Sequence, residues 1–212
     1  MMAQNIYHPS YFGPVDQYVS LHDEDQIILE KQDHYQKQTY RTRQYIYGAN
    51  GPLLLNIPIK HRKDVIARQF YKDIKIENNF KWQQLHWRSI QTAYRTSPFF
   101  EFYEDDFVDL FEKPVESLYD FNIRCTEVVL EALGLSTELN FTESYEKSYE
   151  NDDQIDDQRD LIVSKRKAFF DLKKYNQVFQ DKYGYYENLS ILDLLFNLGP
   201  SAQTYLFEVA SQ

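Results

Sequence analysis

His8, the cluster Lys37-x-x-Tyr40-Arg41-x-Arg43 and His86 carry the side chains of this sequence that could do chemistry. A histidine can hold or give up a proton near neutral pH, so His8 and His86 are the candidate catalytic groups. Arg41 and Arg43 are two residues apart. On an extended strand both would project to one face and could clamp a carboxylate or phosphate; two solvent-facing arginines are the plainer alternative. Lys37, Tyr40, Tyr11 and Tyr94 complete the candidate binding set. The phenols would wall a crevice that is apolar in body and polar at the tip. This reading requires His8, Arg43 and His86 to meet in one pocket.

Other groups have structural explanations. Cys125 lies on the apolar stripe of a helix and reads as a small core residue. Asp193 stands three residues after Ser190, a capping-box spacing with Asp in place of Glu. His86 falls inside an apolar helix face, where it is either a satisfied core histidine or a polar group facing a pocket. There is no P-loop, no Gly-x-Gly-x-x-Gly turn and no His-Glu-x-x-His or Cys-x-x-Cys pattern. No cofactor or metal is assigned.

Three kinds of element must position these groups. Asn5-Ile-Tyr7 reads as a strand stopped by His8-Pro9, and a helix starts near Pro14. Gln26–Glu30 is a second strand, which gives the opening of a parallel α/β unit. Ligands of such folds sit where strands end and helices begin, so the turn from His8 to Pro14 is the first place to look. Tyr45–Tyr47 and Leu53–Ile59 flank an Asn-Gly turn and read as a hairpin. Residues 61–75 are mixed and basic, and Ile74–Ile76 is a short candidate strand. Helices are predicted over 80–95, 99–111 and from a Ser117 cap to Gly134, forming a helical lobe. Leu139–Phe141 is the candidate last strand. Helices are also predicted over 167–180, from 190 to Gly199, and from Pro200 to about Glu208. The expected fold is α/β, with a mixed, partly parallel sheet, flanking helices and one domain over residues 1–212.

Composition bounds the partners. The chain has 212 residues, 42% hydrophobic, and a net charge of −10. Residues 143–160 hold eight acids against Lys147 and Arg159, a net −6, which leaves −4 elsewhere. That segment reads as a solvated acidic loop or insertion. No broad basic face is available for nucleic acid. One cysteine, no leader pattern and no apolar run of membrane length fit a cytoplasmic protein.

The same residues carry a family resemblance. His8-Pro9-Ser10-Tyr11-Phe12-Gly13-Pro14, Lys37 with Tyr40 and Arg43, Gly51, Leu54-Leu-Asn-Ile-Pro-Ile59, His86, Ala93-Tyr94, Pro98-Phe-Phe100 and the closing Asn188–Pro200 run all match. Together they resemble the bacterial WbqC-like family, from about residue 6 to 208. The family's opening signature has one more residue between its His and Pro. The resemblance implies a link to O-antigen and other surface-polysaccharide synthesis. It also implies transfer of an amino-acyl or acyl group to a sugar, with a sugar, nucleotide-sugar or acyl donor as ligand. The alternative is a non-catalytic small-molecule-binding or scaffold protein. On that alternative His86 and Asp193 are both satisfied core groups and no pocket forms behind His8.

Overall fold

A computed structural model describes residues 3–60, 68–150 and 152–212. Residues 61–67 of the mixed basic stretch lie outside the described residues. The chain opens with β1 (Gln4–Tyr7), α1 (Val15–Leu21) and β2 (Gln26–Leu29). β1 and β2 pair in parallel, with Ile6 opposite Ile28. The Pro9 and Pro14 breaks fall where extended backbone is needed. Gln17 braces the turn by donating from Nε2 to the His8 carbonyl and accepting from Ser10 Oγ at 2.7 Å. A Cβ at Gly13 would lie 2.1 Å from Gln17 Oε1 and 2.4 Å from Ser10 Oγ, so only glycine admits this brace.

β3 (Arg43–Gly48) and β4 (Gly51–Asn56) form the hairpin, joined through Ala49-Asn50. It is a separate two-stranded sheet, so the expected mixed sheet resolves into a parallel sheet and an antiparallel ribbon. α2 (Trp82–Tyr94), α3 (Phe100–Glu112) and α4 (Leu118–Ala132) form the helical lobe. Ser117 caps α4 by accepting from the Asp120 amide. Residues 74–76 make isolated bridges, Ile76 to Ile59 and Lys75 to Ser117, and not a strand. Three residues of one short apolar run cannot propagate a ladder when each neighbour supplies a single pairing.

β5 (Glu138–Phe141) joins β2 in parallel. It is not the last strand. β6 (Ile155–Asp157) arises inside the acidic segment and pairs with β1, giving a four-stranded parallel sheet in the order β5-β2-β1-β6. β6 is an edge strand with one apolar residue, so its signal is carried by backbone pairing and not by side-chain alternation. The helix expected over 167–180 is also absent; only α5 (Gln180–Tyr183) is helical there. Asp16 instead accepts from the Phe169 and Phe170 amides, at 2.9–3.1 Å, and holds them in a bend. α6 (Ile191–Leu198) and α7 (Ser201–Ala210) close the chain.

One apolar cluster runs through both layers. Phe12 packs against Phe107 and Phe111, and Phe196 meets Tyr94, Phe100 and Phe107. Such ring pairs add specific edge and face contacts to the burial itself. Cys125 is fully buried in this core. No helix among the described residues is long and apolar enough to cross a membrane.

Candidate functional site

The carboxyl ends of the parallel strands bring together His8 after β1, Glu30 after β2, Thr142 after β5 and Arg159 after β6. His8 is only 4% exposed. Its Nε2 lies 2.7 Å from Arg41 Nη2 and 3.2 Å from Asp33 Oδ2, and Arg41 Nη2 lies 2.9 Å from the same carboxylate oxygen. A guanidinium can only donate. Nε2 of His8 is therefore the acceptor and its proton sits on Nδ1. That Nδ1 is buried and has no partner among the described residues.

Burial first, and the Arg41 charge second, push His8 down to about 3, so it is neutral at physiological pH. Burial alone would raise Asp33. The Arg41 guanidinium and the His34 amide, which donate to it, hold the carboxyl below the ordinary range. With His8 neutral, Arg41 is the charge that counts. The Arg41 guanidinium lies 5.0 Å from the Tyr71 ring centre. The Tyr71 hydroxyl donates to the Pro9 carbonyl at 2.9 Å, and Asn122 donates to the Arg41 carbonyl at 2.7 Å. These contacts fix the turn and the arginine in one arrangement.

Arg159 is caged beside them. It donates to Asp157 through Nε at 2.7 Å and Nη2 at 2.5 Å, and to Glu30 through Nη1 at 3.3 Å. The carbonyls of Glu146 and Lys147 take its remaining donors. The rings of Tyr145 and Tyr149 flank it, with centres at 5.6 Å and 5.0 Å. Glu30 is fully buried and also accepts from the Gln32 and Asp33 amides and Thr142 Oγ1. An arginine held in this way is a structural counter-charge and not a free anion clamp.

A cavity of about 940 Å³ opens over this edge. His8, Asp33 and Arg159 line it on the sheet side, and Tyr145, Tyr149 and the acidic residues of 150–160 line the rest. The site thus forms where a parallel sheet is expected to bind ligands.

The structure joins some of the candidate residues and separates others. His8 and Arg41 touch. Arg41 lies in a turn before β3, so it does not share a strand face with Arg43, and no two-arginine clamp forms from strand alternation. The intervening turn is set by Asn122 holding the Arg41 carbonyl, a contact that spacing cannot show. Tyr11 reaches away from His8 and hydrogen-bonds His86 Nδ1 at 2.9 Å, with the two rings stacked. Burial lowers His86 to about 4. Neither His86 nor Arg43 lines the cavity, so His8, Arg43 and His86 do not meet in one pocket as the sequence reading required. Lys37 is exposed, and Tyr40 is buried against Tyr45.

Tyr94 and Asp193 belong to a different network. Tyr94 and Tyr175 hydroxyls donate to the Asp193 carboxylate at 2.9 and 2.7 Å, and Gln177 Nε2 donates at 2.8 Å. The Ser190 amide is taken by the Tyr45 carbonyl, so Asp193 closes no capping box. Ser190 itself caps α6 by accepting from the Leu192 amide. Asp33, Glu30, Asp157 and Arg159 are the site residues that sequence reasoning passed over. Glu30, a carboxylate directly after the apolar run of β2, was the legible signal.

A sequence profile of the WbqC-like protein family matches residues 9–168. The chain belongs to that family. The matched span holds Asp33, Arg41 and the Glu30–Arg159 pair, while His8 stands one residue before it. The closing Asn188–Pro200 run lies beyond it. The uncharacterized protein Rv1507c of Mycobacterium tuberculosis is 24% identical over 207 residues, spanning 86% of this chain and 87% of its own length. No solved structure matches.

Proposed function

We propose that this chain is a cytoplasmic transferase that places an amino-acyl or other acyl group on a sugar for bacterial surface polysaccharide. The observation that carries the reading is the cavity at the carboxyl edge of the parallel sheet, with His8 in its wall and the Nδ1 of that ring buried without a partner. A buried donor without an acceptor costs free energy unless a ligand supplies one. His8 then orients a substrate oxygen, and Arg41 holds the imidazole in the donating tautomer. Tyr145 and Tyr149 line the same cavity and supply surfaces that are apolar in body and polar at the tip.

A second reading is a non-catalytic binding protein. It is favoured by the His8 Nε2 lone pair, which Arg41 occupies, so His8 offers no free base. His86 Nδ1 is also paired with Tyr11 in the core, and both Asp193 carboxylate oxygens have donors there.

Thermal melting with nucleotide-sugars, coenzyme A esters and amino acids tests the proposal, on the native protein and on His8→Leu. A ligand at about one hundred times its Kd adds about 2.7 kcal/mol, or roughly 5–10 °C for a chain of this size. The expected result is such a rise for at least one class, lost in the variant. No rise with any class refutes the proposal.

A further inference from the structure

A small cationic patch interrupts a chain whose net charge is −10. It forms where two turns meet. Thr39 bridges Val163 in the antiparallel sense, the Tyr40 amide donates to the Ile162 carbonyl at 2.8 Å, and Ser164 Oγ donates to the Gln38 carbonyl at 2.7 Å. The Arg166 amide donates to the Val163 carbonyl at 3.1 Å and closes the second turn. These bonds set Lys37 beside the turn that carries Lys165, Arg166 and Lys167. All four side chains are exposed, and none makes an ion pair among the described residues. Asp16 lies in the field of Arg166, but it is buried and already accepts from two amides. Asp160 and Asp171 are the acids that flank the second turn in sequence. Like charges fixed on adjacent turns repel one another, and an anionic surface laid over them is attracted by all four.

Phe169 is the second, independent feature. Its neighbours Ala168 and Phe170 pack against the core, and Asp16 holds the two phenylalanine amides in a bend. Phe169 is thereby held outward, 63% exposed, with the Arg166 guanidinium 5.3 Å from its ring centre. A lone exposed ring needs no explanation. A ring presented on an anchored bend among four cations has the make-up of an interfacial membrane contact. The ring enters the boundary of the acyl chains, and the cations meet anionic headgroups. Nucleic acid fits less well. A polyanionic strand follows an extended line of cations, whereas these sit together at one tip between Asp160 and Asp171.

We infer that this patch docks the protein on an anionic bilayer surface, with Phe169 inserted and Lys37, Lys165, Arg166 and Lys167 at the headgroups. The inference is independent of the transferase reading and uses no residue that lines the cavity.

Co-sedimentation of the full chain with vesicles tests it, using phosphatidylcholine alone and phosphatidylcholine with phosphatidylglycerol in equal parts. Partitioning should be at least about tenfold greater onto the anionic vesicles at low salt, and it should fall as salt is raised. Each cation near such a surface contributes about fivefold, so Lys165→Gln/Arg166→Gln/Lys167→Gln should lose about a hundredfold. Phe169→Ser should weaken partitioning by about threefold or more. Both variants should melt near the native temperature, because the altered side chains are exposed. Lys81→Gln/Arg88→Gln/Lys113→Gln removes the same charge from exposed positions of the helical lobe and should change partitioning by less than about threefold. No preference for the anionic vesicles overturns the inference. Equal losses in the two triple variants would mark a response to net charge alone and overturn it as well. Undiminished partitioning of Phe169→Ser removes the inserted ring, with the same result. A single-stranded oligonucleotide bound more tightly than the vesicles, and lost in the Lys165 triple variant, would make the patch a nucleic-acid contact instead. Displacement from the vesicles by dissolved glycerol phosphate, at an ionic strength where sodium chloride leaves the protein bound, would make it a site for a free anion and also overturn the inference.

Discussion

Asp193→Asn isolates the proton linkage of a carboxylate buried in the helical layer. Asp193 is fully inaccessible, and burial raises it to about 6, against the three donors Tyr175, Tyr94 and Gln177, which pull the other way. In the unfolded chain the same carboxyl titrates near 3.8. Between these values the folded protein binds the proton and the unfolded chain does not. Stability therefore falls as pH rises through that interval, and the contribution is complete below the unfolded value. At about 1.4 kcal/mol per pH unit the fall is about 3 kcal/mol. His8 and His86 run in the opposite sense. They are held at about 3 and 4 in the fold and titrate near 6.5 when unfolded, so they cost stability as pH drops. Both are present in the two proteins and cancel in the difference. Asparagine keeps the shape and the Oδ1 acceptor for Tyr94, and the Tyr175 hydroxyl can turn to accept from Nδ2, while Gln177 Nε2 loses its acceptor, a loss that does not vary with pH. Urea unfolding at steps from pH 3.5 to 7.5 should show native stability declining relative to the variant by about 3 kcal/mol. Profiles that stay parallel within about 0.5 kcal/mol would refute the reasoning.

Two further perturbations test the architecture of the site and its support. Arg159→Ala removes the cation beside the fully buried Glu30 and should cost about 3–5 kcal/mol in urea unfolding; a loss below about 1 kcal/mol would mean the amides and Thr142 suffice for that carboxylate. Gly199→Ala puts a Cβ within 2.5 Å of the Phe99 ring at a φ of 56°, whereas Gly134→Ala, at 71°, meets open space. The second should cost about 1 kcal/mol and the first about 1–3 kcal/mol more, and equal losses would show that the ring simply moves aside.

How much of this was legible follows from what each element depends on. β1, α1, β2 and the hairpin announce themselves locally, through prolines, an Asn-Gly turn and compact apolar runs, and they form as expected. The three helices of the lobe carry wide apolar faces and one side-chain cap, which are also local properties. β6 has none of these. Its position is set by the free edge of β1, and its composition, Ile155-Asp-Asp157, is that of a loop. The stretch after Lys167 misleads in the other direction. Its spacing suits a helix, but the Asp16 carboxylate offers two backbone amides a better partner. At the site, His8 and Arg41 were visible as types, while Asp33 and Arg159 gained their roles only from the contacts the fold creates. The Arg41–Arg43 pair was read from a two-residue period, and that period has meaning only inside a strand.

The order of strands in the sheet also has a consequence in time. β1, the first strand made, lies between β2 and β6. Its second neighbour comes about 150 residues later in the chain. At roughly 5–20 residues per second, synthesis leaves that edge of β1 unpaired for on the order of ten seconds. During this interval Arg159 has not yet been made, so Glu30 lacks its cation and the acidic residues over the cavity are absent. The polar side of the cavity is thus the last part of the sheet to be completed. Its acidic residues, poor strand formers that repel one another, arrive beside an open edge that a more apolar segment would have paired with too readily.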